Sequence, residues 1–91
     1  MLTIRYSSRF KKDYKAIKKR GYDTRLLEEV LDLLSVGQPL SPKYLDHALK
    51  GDYIGYRECH ITPDWLLIYK VKDMELILEL TRTGTHSDLF G

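Results

Sequence analysis

The sequence predicts one α+β domain whose elements follow the order βααβββ. Three observations indicate this: two short helical patterns near the start, three strand-like runs in the second half, and a length of 91 residues. A chain of this length forms a single domain over residues 1–91, since compact domains usually contain roughly 100–150 residues. We expect the two N-terminal helices to cover one face of a twisted, mainly antiparallel sheet and to leave a concave open face.

The first part of the chain is typical of a strand followed by a helix. Apolar residues at alternate positions indicate a half-buried strand at Leu2, Ile4 and Tyr6. Ser7 or Ser8 can cap the helix that follows. The apolar positions of this helix recur with helical spacing at Phe10, Tyr14 and Ile17. Gly21 ends the helix, because glycine readily adopts the backbone conformation that closes a helical C-terminus.

A second helix is predicted between Gly21 and Gly37. Asp23 or Thr24 can cap its start, and Gly37 and Pro39 end it. Its wide apolar stripe consists of Leu26, Leu27, Val30, Leu31 and Leu34. Two short helices joined near Gly21 form a helical hairpin.

The second half of the chain predicts a loop and then three strands. Residues 39–50 contain two prolines and are expected to form the loop. The strands are expected at residues 53–61, 65–71 and 75–81, because these runs are rich in aromatic and branched side chains. Residues 65–71 are apolar almost without interruption, which predicts a central strand covered on both faces.

Length and composition exclude several classes of protein. The chain is too short for a built-in dinucleotide-binding domain, and its single cysteine excludes an internal disulfide and a multi-cysteine zinc site. No apolar run approaches the roughly 20 residues of a membrane span, and the first residues do not resemble a signal peptide. We therefore expect a cytoplasmic protein without a cofactor.

Positive charge is concentrated near the N-terminus. The formal net charge is only +2, yet residues 1–25 contain nine basic and two acidic side chains. Such a cluster attracts polyanions, either nucleic acid or an acidic protein segment. The alternative is a solvated helix face that only confers solubility. The lysines of the first helix are Lys11, Lys12, Lys15, Lys18 and Lys19.

Three histidines are the main candidates for proton transfer, since the unperturbed imidazole titrates near neutrality. They are His47, His60 and His86. A single histidine is more often a structural residue than a catalyst. Three of them in the second half, each with Asp or Arg nearby, favour a shared function, provided that the sheet brings them to one surface.

The pattern of possible ligands does not favour a metal site. Cys59 and His60 are adjacent on a predicted strand, so their side chains point to opposite faces of the sheet. The sequence contains neither His-x-x-x-His nor Cys-x-x-Cys. We expect no metal, and we expect Cys59 to be a buried packing residue.

Metal-free cleavage of RNA fits the same residues better. RNA supplies its own nucleophile, the 2′-hydroxyl, so the protein has only to move two protons and to stabilise the phosphoryl charge. The histidines can move the protons, and the charge can be stabilised by Arg82, with Lys50 or Arg57 as further candidates. Asp64 follows His60 closely enough to orient its imidazole or to hold a proton.

Two aromatic residues are candidates for stacking on an RNA base, namely Trp65 and Phe90. For Trp65 the alternative is packing in the core. Phe90 lies in a polar C-terminal segment, where a core role is less natural.

Four segments of the second half together carry a family resemblance. Residues 46–51, 55–60, 63–70 and 82–91 read DHALKG, GYRECH, PDWLLIYK and RTGTHSDLFG. In their order and spacing these segments closely resemble the YafQ branch of the RelE-like toxins, which belong to bacterial type II toxin–antitoxin systems. The predicted strand and helices of residues 1–37 agree with the RelE-like fold.

The resemblance implies a function and a set of site residues. Toxins of this kind are ribonucleases that cleave messenger RNA in the ribosomal A site and are silenced by a co-expressed antitoxin. The implied partners are therefore a DinJ-like antitoxin, the 70S ribosome and mRNA. By position, the functional residues of the family are His47, His60, Asp64, Arg82, His86 and Phe90, with Trp65 after Asp64.

A mechanistic hypothesis combines the resemblance with the acid–base argument. His60, oriented by Asp64, and His47 act on the 2′-hydroxyl, His86 protonates the leaving oxygen, and Arg82 neutralises the phosphoryl charge. The base and acid roles can also be exchanged. The expected product carries a 2′,3′-cyclic phosphate, and the lysines of the first helix are expected to hold ribosomal RNA. The alternative function is a non-catalytic, ParE-like module that acts on gyrase, since fold alone does not decide function.

Overall fold

The computed structural model describes residues 1–91 and contains five strands and three helices. The strands are β1 (Thr3–Tyr6), β2 (His47–Ala48), β3 (Arg57–Thr62), β4 (Trp65–Lys72) and β5 (Ile77–Gly84). The helices are α1 (Ser8–Lys19), α2 (Thr24–Ser35) and α3 (His86–Phe90). The predicted α+β class and the predicted order of the first two helices and the main strands are confirmed. None of the helices has the length and apolar character needed to cross a membrane.

The strands form one mixed sheet in the order β1-β5-β4-β3-β2. All neighbouring strands are antiparallel except β1, which pairs with β5 in parallel. The prediction that β4 is central is confirmed, and its residues Leu66, Leu67 and Ile68 are almost completely buried. A strand covered on both faces can be apolar at every position, which explains its uninterrupted run.

Both predicted N-terminal helices are present and begin at the expected caps. The Ser7 hydroxyl accepts a hydrogen bond from the backbone N–H of Phe10, and Asp23 accepts one from the backbone N–H of Arg25. These bonds satisfy amide groups that a helical first turn otherwise leaves without a partner. The apolar stripes of both helices pack on one face of the sheet around Ile17, Val30 and Leu78. This packing forms the main core.

The opposite face of the sheet is only partly open. A second, smaller apolar cluster lies there, with Leu66 and Ile68 of β4 packed against Leu89 of α3. Leu49, Tyr53 and Tyr56, which precede β3, cover it further. The site residues are therefore arranged around this cluster and not on a bare sheet.

The structure corrects several boundaries. Residues 39–50 are not entirely loop, because β2 forms within them and pairs with β3. The strand expected to begin at residue 53 begins at Arg57, since Gly51–Tyr53 forms a 3-10 turn. The strand expected at residue 75 begins at Ile77, after a similar turn at Asp73–Glu75. Helix α3 was not predicted.

Trp65 belongs to the core. Its side chain has 0% exposure, and its indole N–H donates a 2.8 Å hydrogen bond to the Thr83 hydroxyl. A ring without exposed surface cannot stack on a base, so the expected RNA contact of Trp65 is wrong for this arrangement and the core-packing alternative holds. Cys59 is also fully buried, as expected for a packing residue, and burial raises the pKa of its thiol to about 12.

Candidate active site

Strand register places the candidate residues on one face of the sheet. His47 of β2 lies opposite Glu58 of β3, Glu58 opposite Ile68 of β4, and Ile68 opposite Arg82 of β5. Residues directly opposite one another in antiparallel strands project to the same side. Because neighbouring strands lie roughly 4.8 Å apart, this row extends over about 14 Å.

A second row lies beside the first. It contains His60, Leu66 and Gly84, which are paired across β3, β4 and β5. His60 is two residues from Glu58 on the same strand and therefore shares its face. His86 follows Gly84 by two residues, at the first position of α3. The sheet thus brings His47, His60 and the α3 segment that carries His86 to one face.

His47 and His60 flank the carboxylate of Glu58, which is not among the residues predicted from the sequence. The Nε2 atoms of both rings lie 3.6 Å from Glu58 Oε1, and Glu58 is only 7% exposed. His47 Nδ1 donates to the Leu45 carbonyl at 2.7 Å, and His60 Nδ1 donates to the Pro63 carbonyl at 3.3 Å. Since a carbonyl can only accept, these bonds place a proton on Nδ1 and leave Nε2 for proton exchange.

Asp64 supports a different histidine from the one expected. Its carboxylate accepts the backbone N–H of His86 at 3.5 Å, whereas the ring of His60 is held by Pro63 and Glu58. The expectation that Asp64 orients the imidazole of His60 is therefore wrong. Because His60 contacts Pro63 and His86 contacts Asp64, both histidines adjoin the turn between β3 and β4.

Arg82 is held by a residue of α1. Its Nε donates to Asp13 Oδ2 at 2.7 Å, and its Nη2 donates to Asp13 Oδ1 at 3.1 Å. The hydrogen bond to Asp13 raises the pKa of Arg82 further above its ordinary value, and a hydrogen bond with Tyr53 contributes in the same direction. Arg82 is recognisable from the sequence, whereas Asp13 lies 69 positions away and carries no local signal.

Helix α3 is short and depends on its cap. The Thr85 hydroxyl accepts the backbone N–H of Asp88, and the Asp88 carboxylate accepts the backbone N–H of Thr85. Arg20, the residue that follows α1, donates to the same carboxylate at 2.9 Å. The bond from Thr85 and the bond from Arg20 lower the pKa of Asp88, in that order of size. A side chain at Gly84 would meet Asp88 at 3.0 Å, so the glycine leaves room for this cap.

Helix α3 also presents the predicted aromatic residue. The ring centroids of His86 and Phe90 are 5.1 Å apart, and Phe90 meets Tyr53 edge-on at 6.1 Å. Phe90 is 42% exposed, so part of its ring is open to solvent. Its position beside His86 keeps it available to a base.

Of the remaining predicted RNA contacts, Arg57 lies away from the histidines, whereas Lys50 and the lysines of α1 are exposed. Arg57 adjoins Glu58 on β3 and projects to the opposite face, where its guanidinium binds Asp46 at 3.1 Å. The structure does not bring it to the histidines. Lys50 is exposed near the second apolar cluster. The five lysines of α1 are all exposed, and none forms an ion pair.

Comparison with known proteins identifies the family. A family model described as the bacterial toxin of type II toxin-antitoxin system, YafQ, matches residues 2–91. The chain belongs to the YafQ toxin family. The mRNA interferase toxin YafQ of Escherichia coli K12 is 45% identical to it over 89 residues, which cover 97% of this chain and 95% of that protein.

Solved structures agree with this family membership and confirm the RelE-like fold expected from the YafQ resemblance. A metal-bound toxin from Helicobacter pylori is 51% identical, with a TM-score of 0.93 over 99% of this chain and 100% of that one. YafQ in the Escherichia coli DinJ-YafQ complex is 43% identical, with a TM-score of 0.90 over the whole of both chains.

Proposed function

We propose that this YafQ-family toxin is a ribosome-dependent endoribonuclease that cleaves mRNA in the A site and so inhibits translation. The observation that supports this most strongly is the register of the sheet, which gathers His47, His60, Arg82 and the His86 segment on one face. The name of the 45% identical relative, an mRNA interferase toxin, supports the same substrate.

The proposed chemistry uses these side chains without a metal. His60 takes the proton of the 2′-hydroxyl through Nε2, and Glu58, which His47 also contacts, stabilises the imidazolium that results. The 2′-oxygen attacks the phosphorus, and Arg82 stabilises the negative charge on the phosphoryl oxygens. His86 protonates the departing 5′-oxygen. The products are then a 2′,3′-cyclic phosphate and a 5′-hydroxyl end.

The acid and base roles of His86 and His60 can be exchanged, and an experiment distinguishes the two assignments. A substrate with a good leaving group at the 5′-oxygen no longer needs the general acid, so it rescues a variant that lacks only that acid. We expect such a substrate to restore cleavage by His86→Ala but not by His60→Ala. Rescue of His60→Ala instead would show that the roles are exchanged.

The decisive experiment determines the ends of the product. Purified toxin is first stripped of bound metal with a chelator, which is then removed, and the toxin is incubated with mRNA on 70S ribosomes in Mg²⁺ buffer, because one relative is described as metal-bound. Cleavage that persists and leaves 2′,3′-cyclic phosphate ends supports the proposal. Cleavage that requires added metal and leaves 5′-phosphate ends contradicts the mechanism. Intact mRNA with broken DNA after induction would favour the ParE-like alternative.

Two partners follow from the proposal. The first is the ribosome, whose RNA the exposed lysines of α1 contact through phosphates, so the toxin acts in the cytoplasm. The second is a DinJ-like antitoxin, by analogy with the 43% identical YafQ in its DinJ complex. Co-expression with a small neighbouring reading frame tests this partner, since the true antitoxin restores growth and copurifies with the toxin.

A further inference from the structure

We propose that Asp13 is a positioning residue, which holds Arg82 in the direction needed to bind the scissile phosphate. This inference rests on the ribonuclease function proposed above. Asp13 lies within α1, the same helix that exposes the lysines, yet its carboxylate is turned towards β5 and is only 14% exposed. Helix α1 would then serve catalysis as well as binding of ribosomal RNA.

Asp13 holds both the side chain of Arg82 and the backbone next to it. In addition to the two bonds from the guanidinium, Asp13 Oδ2 accepts the backbone N–H of Thr83 at 3.2 Å. The guanidinium and the carboxylate meet with two parallel bonds at 2.7 and 3.1 Å. A pair of this geometry fixes the plane of the guanidinium, which a single contact does not.

The contacts of Asp13 support β5 at the position of Arg82, where the pairing of this strand is incomplete. Strand β1 pairs with β5 only as far as Leu80, so Arg82 lies beyond the end of the neighbouring strand. The register between β4 and β5 shifts there as well, since Ile68 pairs with Arg82 and the next residue, Tyr69, pairs with Leu80. Thr81 is thus an extra residue, and such a bulge redirects the side chains that follow it.

The pair leaves one side of the guanidinium for substrate. Nε and one N–H of Nη2 donate to Asp13, whereas both N–H groups of Nη1 and the other N–H of Nη2 do not. The edge formed by Nη1 and Nη2 can bind two phosphoryl oxygens while the contact with Asp13 remains intact, once the substrate displaces Tyr53 from this guanidinium. Lysine, a single point charge, cannot make both contacts.

The net charge at Arg82 and the orientation of its guanidinium predict opposite effects of removing the Asp13 carboxylate, which provides a clear test. Asp13 partly offsets the positive charge of Arg82, so net charge alone predicts that Asp13→Asn leaves phosphate binding unchanged or strengthens it. If position is decisive, the same substitution slows cleavage. A displacement of about 1 Å in a catalytic group can reduce a rate by roughly 100-fold.

The experiment measures single-turnover cleavage of mRNA on ribosomes by variants whose folding is confirmed by thermal unfolding. We expect Asp13→Asn to cleave about 10-fold more slowly than the parent toxin. Asp32→Asn is the matched control, because Asp32 is exposed on α2 and its carboxylate forms no hydrogen bond or ion pair. It makes the same change in net charge and should cleave at the parent rate.

A double-substitution cycle separates positioning from general structural support. If Asp13 acts through Arg82, adding Asp13→Asn to Arg82→Ala causes no further loss of rate. An equal loss in both backgrounds overturns the inference, as does a folded Asp13→Asn toxin that cleaves at the parent rate. Should Asp13→Asn not fold, Asp13→Glu keeps the charge but displaces the guanidinium, and it must then cleave more slowly for the inference to stand.

The single Arg82→Ala variant distinguishes failure of this inference from failure of the proposed function. If Arg82→Ala cleaves at the parent rate, the proposed role of Arg82 fails, and the role of Asp13 with it. If Arg82→Ala is slow and Asp13→Asn is not, only the role of Asp13 is wrong.

Discussion

His47 and His60 direct their Nε2 atoms at the same oxygen, Glu58 Oε1, and each lies 3.6 Å from it. The two rings come from different strands, and the pairing of His47 with Glu58 across β2 and β3 brings them together. The buried carboxylate of Glu58 thus lies between the two imidazoles and links the three side chains by direct contact. Substitution of any one of them should therefore affect the others.

The carboxylate of Glu58 should contribute to catalysis. Glu58→Gln keeps the size of the side chain but removes the charge that stabilises an imidazolium, so we expect single-turnover cleavage to fall about 10-fold or more. Glu79→Gln is a suitable control, because Glu79 lies on β5 and pairs only with Lys72 at 3.6 Å. Equal rates for the two variants would show that Glu58 has only a structural role.

The histidines should be required for cleavage and dispensable for folding. His86 is exposed at the start of α3, so His86→Ala should change the free energy of unfolding by only about 0.5 kcal/mol. Loss of a general acid or base typically costs about 100- to 10,000-fold in rate. Growth after induction and cleavage on ribosomes measure the loss. A folded His60→Ala/His86→Ala toxin that cleaves at the parent rate would exclude these roles.

Trp65 should matter for stability. Trp65→Ala removes a fully buried ring and its bond to Thr83, so we expect a loss of about 3–5 kcal/mol in the free energy of unfolding. Trp65→Phe should lose less and retain cleavage at low temperature, where the variant remains folded. Urea unfolding followed by circular dichroism gives the energies. A stable Trp65→Phe toxin that has lost cleavage would instead indicate a direct role in RNA binding.

The main elements of the fold could be predicted because their signals are local. The caps at Ser7 and Asp23 and the apolar periodicity of α1 and α2 are properties of neighbouring residues, and β4 is recognisable from its apolar run. Strand β2 has two residues and exists only by pairing with β3, so no local pattern indicates it. Helix α3 did have a signal, since Thr85 and Asp88 form a capping box three positions apart.

Only part of the candidate site is predictable from the sequence, because only some of its residues carry a local signal. The histidines and Arg82 are recognisable from their chemistry and from the family resemblance. Glu58 was missed, although its spacing of two from His60 places both on one face of a strand and was available as a signal. Asp13 had no such signal, because its partner Arg82 is close only after α1 has packed beside β5. The same tertiary contact decides which guanidinium edge is free.

The stability of α3 should depend on the charge of Asp88. The folded protein lowers the pKa of Asp88 below its ordinary value of 3.8, so its contribution is present above about pH 4 and is lost as the pH falls through the lowered value. We expect Asp88→Asn to destabilise the protein at pH 7 and to have no effect at a pH below the lowered pKa of Asp88. Urea unfolding at several pH values measures the difference. A difference that stays constant with pH would show that the charge is not involved.

The exposed lysines of α1 should govern the salt dependence of ribosome binding. Each lysine that contacts a phosphate releases counterions, so its reversal should reduce the slope of log affinity against log salt by about 1. We expect Lys15→Glu/Lys18→Glu to weaken binding and to reduce this slope. Lys43→Glu/Lys72→Glu makes the same change in net charge away from α1. This variant should preserve most of the slope of log affinity against log salt. Equal slopes for both double variants would mean that net charge, and not this helix face, determines binding.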